Sequence, residues 1–240
     1  MPTILAIETS AELASVALLR DGQLTTLESS GVHTHSDTIL PMTQRLLTQA
    51  GIAIVDCDAI AFGCGPGSFT GVRTACGVVQ GLAFGSEKSV VPVVSLLAMA
   101  EACRETCGAR DVLAVLDARM GEVYWAQYRY AEQDGGHWRA VIAPTLSSAA
   151  AVQPQGMVQA CGNGLRAYAT DFSGRDFFAA GLMDILPHAA PIARLGQQAY
   201  ARGEVVPAQD AQPLYLRNKV ALTTNERLAK AEGVAAGMAT

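Results

Sequence analysis

The residues best placed by type and spacing to do chemistry are Gly63-Cys64-Gly65-Pro66-Gly67-Ser68-Phe69-Thr70-Gly71-Val72-Arg73. Closely spaced glycines open the backbone to positive φ and let another group approach. A helix starting just after them offers unpartnered first-turn amides and a partial positive charge, which together bind anions. Gly65, Gly67, Ser68 and Thr70 are therefore candidates for an anion or nucleotide loop. The spacing fits neither common phosphate motif. It is one residue short of G-x-x-x-x-G-K-[ST], and Thr70 stands where G-x-G-x-x-G needs glycine. A turn that closes one α/β unit against its neighbour explains the same residues. Cys64 could be an exposed thiolate acidified by the helix N-terminus, or a small packing residue. Arg73, at the end of the block, could clamp an anion or a partner's carboxylate.

Other candidates are thinner. Glu8-Thr9-Ser10 could bind a phosphate or cap a backbone, and Asp117 could hold a metal-bound water or simply end a strand. His33 and His35 share one side of an extended segment, but no third metal ligand lies nearby in sequence, so a polar lead-in to a helix serves as well. No G-x-S-x-G frames Ser68, which leaves a serine triad unsupported. Arg217 and Lys219 are further cations to follow. The six cysteines form no C-x-x-C pair, and Cys103 and Cys107, at helical spacing, read as two small packing residues in a reduced compartment.

These residues need elements to hold them. Ile4 to Ile7 is a short apolar run that reads as a central strand. Ser15 to Leu19 and Gln23 to Glu28 form a hairpin around Asp21-Gly22. A helix is expected from Ser36 to Ala50, its start in question because of Pro41. The strand at 58–63, the glycine turn, a helix from about 69 to 85, a strand at 90–94 and a helix capped by Ser95 follow. Val112 to Asp117 then repeats the pattern of residues 4–8. Glu122 to Tyr130 and His137 to Ile142 make a second hairpin across Gly135-Gly136, and Met157 to Cys161 leads into a second glycine turn, Gly162-Asn163-Gly164. Leu182 to Leu186 is expected as a late strand and Pro191 to Arg202 as a helix. Each half is a meander followed by helices and strands, a mixed-sheet α/β fold built twice. The expected lobes are residues 1–107 and 108–230, with a frayed tail at 231–240.

The helix after the turn has an unusual face. Gly77, Gly81 and Gly85 recur every four residues, one step on from Arg73. Each interior glycine costs about 1 kcal/mol relative to alanine. Val72, Cys76, Val79 and Ala83 already supply an apolar face for the sheet. The glycine face is thus expected to meet another helix, one that another subunit could supply.

Composition narrows the function classes. In 240 residues, 50% are hydrophobic and 16% charged, enough for a substantial core without staples. A net charge of -5 argues against this chain being, alone, the main grip on nucleic acid. The opening residues lack a basic region and meet Glu8, so no signal peptide is expected. The apolar run at 90–100 is too short to span a bilayer and contains Pro92. The expectation is a soluble, cytoplasmic protein.

Gly65-Pro66-Gly67-Ser68-Phe69-Thr70-Gly71-Val72-Arg73 resembles the signature of the bacterial TsaB (YeaZ) family. So do Leu5-Ala6-Ile7-Glu8-Thr9-Ser10, the His35-Ser36 lead-in to Leu40-Pro41, and Pro213-Leu214-Tyr215-Leu216-Arg217. The resemblance implies an actin-like (ASKHA, duplicated RNase H-like) fold in two lobes. It implies a non-catalytic dimerisation subunit in the formation of N6-threonylcarbamoyladenosine (t6A) at position 37 of tRNAs reading codons that begin with A. The partners it implies are TsaD, a catalytic sister subunit that holds the metal, and TsaE, an ATPase that docks on the pair. Alone, such chains form homodimers through a similar surface, and tRNA is met only through the complex. No metal or cofactor is implied for this chain alone, although ATP or ADP at a junction between subunits is allowed. The contact surface carries over to the helices at about 37–50 and 69–85, where Leu40, Leu47, Arg73, Gly77, Gly81 and Gly85 are the expected contact residues. The competing reading is an autonomous ATP-dependent actin-like enzyme, such as a small-molecule kinase. A peptidase is disfavoured, since no nucleophile–base pair or metal set is present to run it.

Overall fold

A computed structural model describes residues 1–29, 35–132 and 136–217. Its first sheet contains β1 (Ile4–Glu8), β2 (Ala14–Arg20), β3 (Gln23–Ser29), β4 (Ala59–Gly65) and β5 (Ser89–Val94), in the order β3-β2-β1-β4-β5. β1, β2 and β3 form an antiparallel meander, while β4 and β5 continue from β1 in parallel. The second sheet, β6 (Asp111–Asp117), β7 (Glu122–Ala131), β8 (His137–Ser148) and β9 (Gln159–Cys161), has the order β8-β7-β6-β9. Again a meander is joined in parallel to its first strand. The duplication expected from sequence is present as topology.

β1 reads as a continuous apolar run because both of its faces are covered. Leu5 and Ile7 look towards α1 (His35–Gln49) and α2 (Phe69–Ser86), packing with Ile39, Leu46, Val79 and Ala83. Ile4 and Ala6 face the other way, in a layer with Ala17, Ala59, Ala61, Ile192 and Ala193. Alanines dominate there because a helix lies very close: a Cβ on Gly196 would sit 2.7 Å from that of Ala61. α3 (Ser95–Cys107) packs against β4 and β5 on one side and β6 and β9 on the other, so it joins the two sheets. The second sheet is covered on its far face by α4 (Gly164–Ala167) and α5 (Ala169–Phe172), through Leu165 and Phe172 against Leu113, Val115 and Trp125. The other face of the first sheet is covered by α6 (Ala189–Ala201), which comes from the second half of the sequence and lies on β1, β2 and β4.

Most elements fall where the periodicity places them, and four departures have physical causes. Leu182 to Leu186 is not a strand. Leu182 makes one bridge to Cys161, and the Ile185 amide then turns back to the Leu182 carbonyl. β8 runs on to Ser148 through Pro144, which an edge strand with register shifts tolerates. α1 begins at His35 and carries Pro41 within it, so Pro41 does not delay the start. Ser95 is the first residue of α3 rather than its cap, because its hydroxyl turns inward to Glu8. The tail at 231–240 and the Gly135 end of the second hairpin lie outside the described residues. No helix among the described residues is long and apolar enough to cross a membrane.

Candidate functional site

The glycine block forms the end of β4, a cis Gly65-Pro66 turn and the start of α2. What it approaches is the turn after β1. A Cβ on Gly71 would lie 1.9 Å from the Thr9 carbonyl oxygen, and one on Gly67 would lie 2.6 Å from that of Ser10. The contact is bonded as well as close. The Ser68 amide donates to the Ser10 carbonyl at 2.8 Å, and the Thr9 hydroxyl to the Gly71 carbonyl at 2.7 Å. Ser68 caps α2, its hydroxyl accepting from the Gly71 amide at 3.4 Å. Gly67 and Gly71 are therefore closed from within by Thr9 and Ser10, while a Cβ on Gly65 would meet the Leu214 carbonyl oxygen and Val72, each at 3.2 Å. Gly67 and Ser68 still border a cleft, whereas Gly65 lies buried behind them and Thr70 is exposed away from it.

Glu8 is fully buried beneath this junction. Its carboxyl accepts from the Ser10 amide and, at 3.1 Å, from the Ser95 hydroxyl. Burial raises its pKa above the ordinary value of 4.5, and the hydrogen bonds only partly oppose that. A Cβ on Gly63 would lie 1.8 Å from Glu8 Oε2, so this glycine makes room for the acid. Cys64 is buried too. Desolvation, with Glu8 nearby, pushes its thiol up to about 12, so it is not the acidified thiolate that its place in the turn allowed.

The second lobe repeats the plan with different ends. Its glycine turn also closes on its own strand: a Cβ on Gly162 would lie 2.1 Å from the Val115 carbonyl oxygen. Asp117 ends β6, and its side chain is engaged by the Arg119 amide at 2.8 Å, the Tyr168 hydroxyl at 3.0 Å and the Arg119 guanidinium at 3.3 Å. Its amide donates to Asn163 Oδ1 at 3.0 Å. A cleft of about 480 Å³ lies between the lobes, bordered by Ser10, Ser68, Asp117, Arg119, Asn163 and Arg217 among others. Among the described residues, no group of three His, Cys, Asp or Glu side chains converges as a metal site. His35 joins α1 to the first turn, its Nδ1 3.1 Å from the Thr9 carbonyl oxygen. His33 and Lys219 lie outside the described residues.

The outer face of α2 is the opposite of the turn. Cβ atoms on Gly77, Gly81 and Gly85 would meet nothing within 4 Å. Phe84 stands beside them at 79% exposed, and Leu40 of α1 is 47% exposed. Leu47, expected on the same surface, turns inward and is buried in the core with Leu46. Residues seven apart share a helix face, so the helical repeat does not separate Leu47 from Leu40; packing into the core beneath Leu47 does. Arg73 sits at the edge of the face with its guanidinium 3.6 Å from the Phe69 ring centroid, and its Nε donates to the Tyr215 hydroxyl at 2.8 Å. The contacts of Tyr215 and Arg217 were not legible in sequence, beyond the proline that opens their extended segment.

Comparisons with known proteins agree closely. A family model described as "TsaD: tRNA N6-adenosine threonylcarbamoyltransferase" matches residues 28–238. The Escherichia coli K12 protein described as tRNA threonylcarbamoyladenosine biosynthesis protein TsaB is 39% identical over 223 residues, 91% of this chain and 96% of that one. Its Haemophilus influenzae counterpart is 38% identical over 231 residues, 91% of this chain and 94% of that one. Among solved structures, YeaZ from Pseudomonas aeruginosa is 40% identical with a TM-score of 0.82, covering 90% of this chain and all of that one. A second Pseudomonas aeruginosa structure, described as an uncharacterized protein with similarity to peptidase YeaZ, has a TM-score of 0.84 at 39% identity with the same coverage.

Proposed function

The chain belongs to the TsaB (YeaZ) family, and we propose on that premise that it is the non-catalytic, pairing subunit of a t6A-forming complex. Its role is in tRNA threonylcarbamoyladenosine biosynthesis, and its fold is the actin-like α/β fold of the family. Within that role, the outer face of α2 with the exposed part of α1 receives a TsaD-like catalytic subunit, and a TsaE-like ATPase docks on the pair. A second copy of the chain takes the same surface when the partner is absent.

The observation that carries this reading is the bare glycine face. Three glycines in one helix, with open space where each Cβ would stand, are unfavourable for the isolated helix. They make sense where another helix packs at short range and buries Phe84 and Leu40. The cleft supports the non-catalytic part. At the first turn, the Thr9 and Ser10 carbonyls occupy the space beside Gly71 and Gly67, and Glu8 is turned inward. At the second, Asp117 is held by Arg119 and Tyr168. This disposition of the acids favours a chain that leaves the chemistry to a partner.

Complementation of a strain depleted of the native gene tests the proposal, with t6A measured in digested tRNA by mass spectrometry. Asp117→Ala is expected to keep t6A near wild type, and Gly77→Glu to abolish it in a folded protein. Loss of t6A with a well-folded Asp117→Ala would transfer the weight to an autonomous enzyme.

A further inference from the structure

Leu214 to Arg217 touches both lobes within four residues. The Leu214 amide donates to the Cys64 carbonyl at 2.7 Å, extending the backbone bonding at the end of β4. The Tyr215 ring lies 5.9 Å from that of Phe69, and its hydroxyl accepts from Arg73. Two residues later the chain has crossed the cleft. Arg217 Nη2 donates to Glu122 Oε2 at 2.7 Å and to the Ala118 carbonyl at 3.0 Å, while Nη1 lies 2.9 Å from Met120 Sδ. The Arg217 side chain is 14% exposed and that of Glu122 39%, so their ion pair is partly shielded from water.

The turn that Arg217 holds is unusual. Arg119, Met120 and Gly121 have φ of 61°, 58° and 83°, placing two non-glycine residues in succession in the left-handed region. Such residues are strained and persist where their surroundings over-determine them. Here Arg217 engages the Ala118 carbonyl from one side, and Asp117 accepts the Arg119 amide from the other.

We propose that Leu214–Arg217 is an interlobe latch, a single cooperative strap that ties the start of α2 to the β6–β7 turn and fixes the opening of the cleft. Arg73 and Phe69 fasten one end, and Glu122 with the Ala118 carbonyl fastens the other. The latch is a property of this chain by itself and stands independently of the partner assignment. It does place Arg73 at the meeting point of the strap and the exposed α2 face, so whatever covers that face abuts the fastening.

Amide hydrogen exchange on the full chain tests this, comparing wild type with Tyr215→Ala and Arg217→Ala. The reporters are the amides of Leu214, on the first lobe, and of Ala118 and Glu122, which bond within the strained turn. Each variant is expected to speed exchange at both ends by about tenfold or more, because the strap opens as a unit. β1 amides should hold their wild-type protection, which certifies the fold. If Tyr215→Ala speeds Leu214 alone and leaves Ala118 and Glu122 unchanged, the two contacts are independent and the latch is refuted. Should either alanine variant lose β1 protection, Tyr215→Phe and Arg217→Lys are judged by the same criterion.

Discussion

Two sets of glycines in one helix and the turn before it do opposite work. Gly67 and Gly71 are small because backbone carbonyls of the neighbouring turn occupy the space their side chains would fill. Gly77, Gly81 and Gly85, on the same helix, have nothing against them. A residue type that sequence reasoning groups together thus divides into a closure inside the lobe and a bare surface outside it. The first kind explains why the chain folds. The second has no explanation within the isolated chain, and that makes it the better pointer to function.

The sharpest way to break this comparison is to add one carbon at each kind of site. Gly71→Ala drives a methyl into the Thr9 carbonyl and is expected to cost at least about 3 kcal/mol, read by urea unfolding. Tolerance of alanine there would show that the two turns are not closely packed. Gly81→Leu should instead leave the fold intact and weaken association with the proposed TsaD-like partner more than about tenfold in a binding titration. Gly81→Ala is expected to raise the stability of the chain by about 0.5–1 kcal/mol, since it removes the helix penalty without a clash. A destabilising Gly81→Ala would place that face inside a contact of the monomer.

The smallest expected effect concerns Glu8. Its folded pKa is raised by burial, so between its ordinary 4.5 and that higher value the folded chain binds more protons than the unfolded one. Unfolding free energy therefore falls as pH rises through this window and is greatest below it. Glu8→Gln removes the titration, so the fall in stability as pH rises above 4.5 should shrink relative to wild type. An unchanged slope would mean that other groups set it.

Much of the fold was legible because apolar runs and turn residues are local signals. β1, the Asp21-Gly22 hairpin and the duplicated meander all follow from short stretches of chain. What failed depended on distant partners. Leu182 to Leu186 has strand-like composition, but the chain turns back after one bridge. Ser95 carries a capping residue's chemistry, yet a buried carboxyl competes for its hydroxyl. The site was legible in outline only. The open α2 face could be read from a four-residue repeat, whereas the inward turn of Leu47, the burial of Cys64 and the bridging by Tyr215 and Arg217 required the packing itself.

If the bare face of α2 is a pairing surface, gel filtration with light scattering will reveal it. The chain is run alone and with the TsaD-like protein of its own organism, as wild type and as Gly81→Leu. A 1:1 complex is expected to form as the homodimer peak shrinks, with Gly81→Leu a folded monomer that forms neither. A folded Gly81→Leu that pairs as wild type does, or a wild-type chain that forms no complex, would contradict a pairing role for this face.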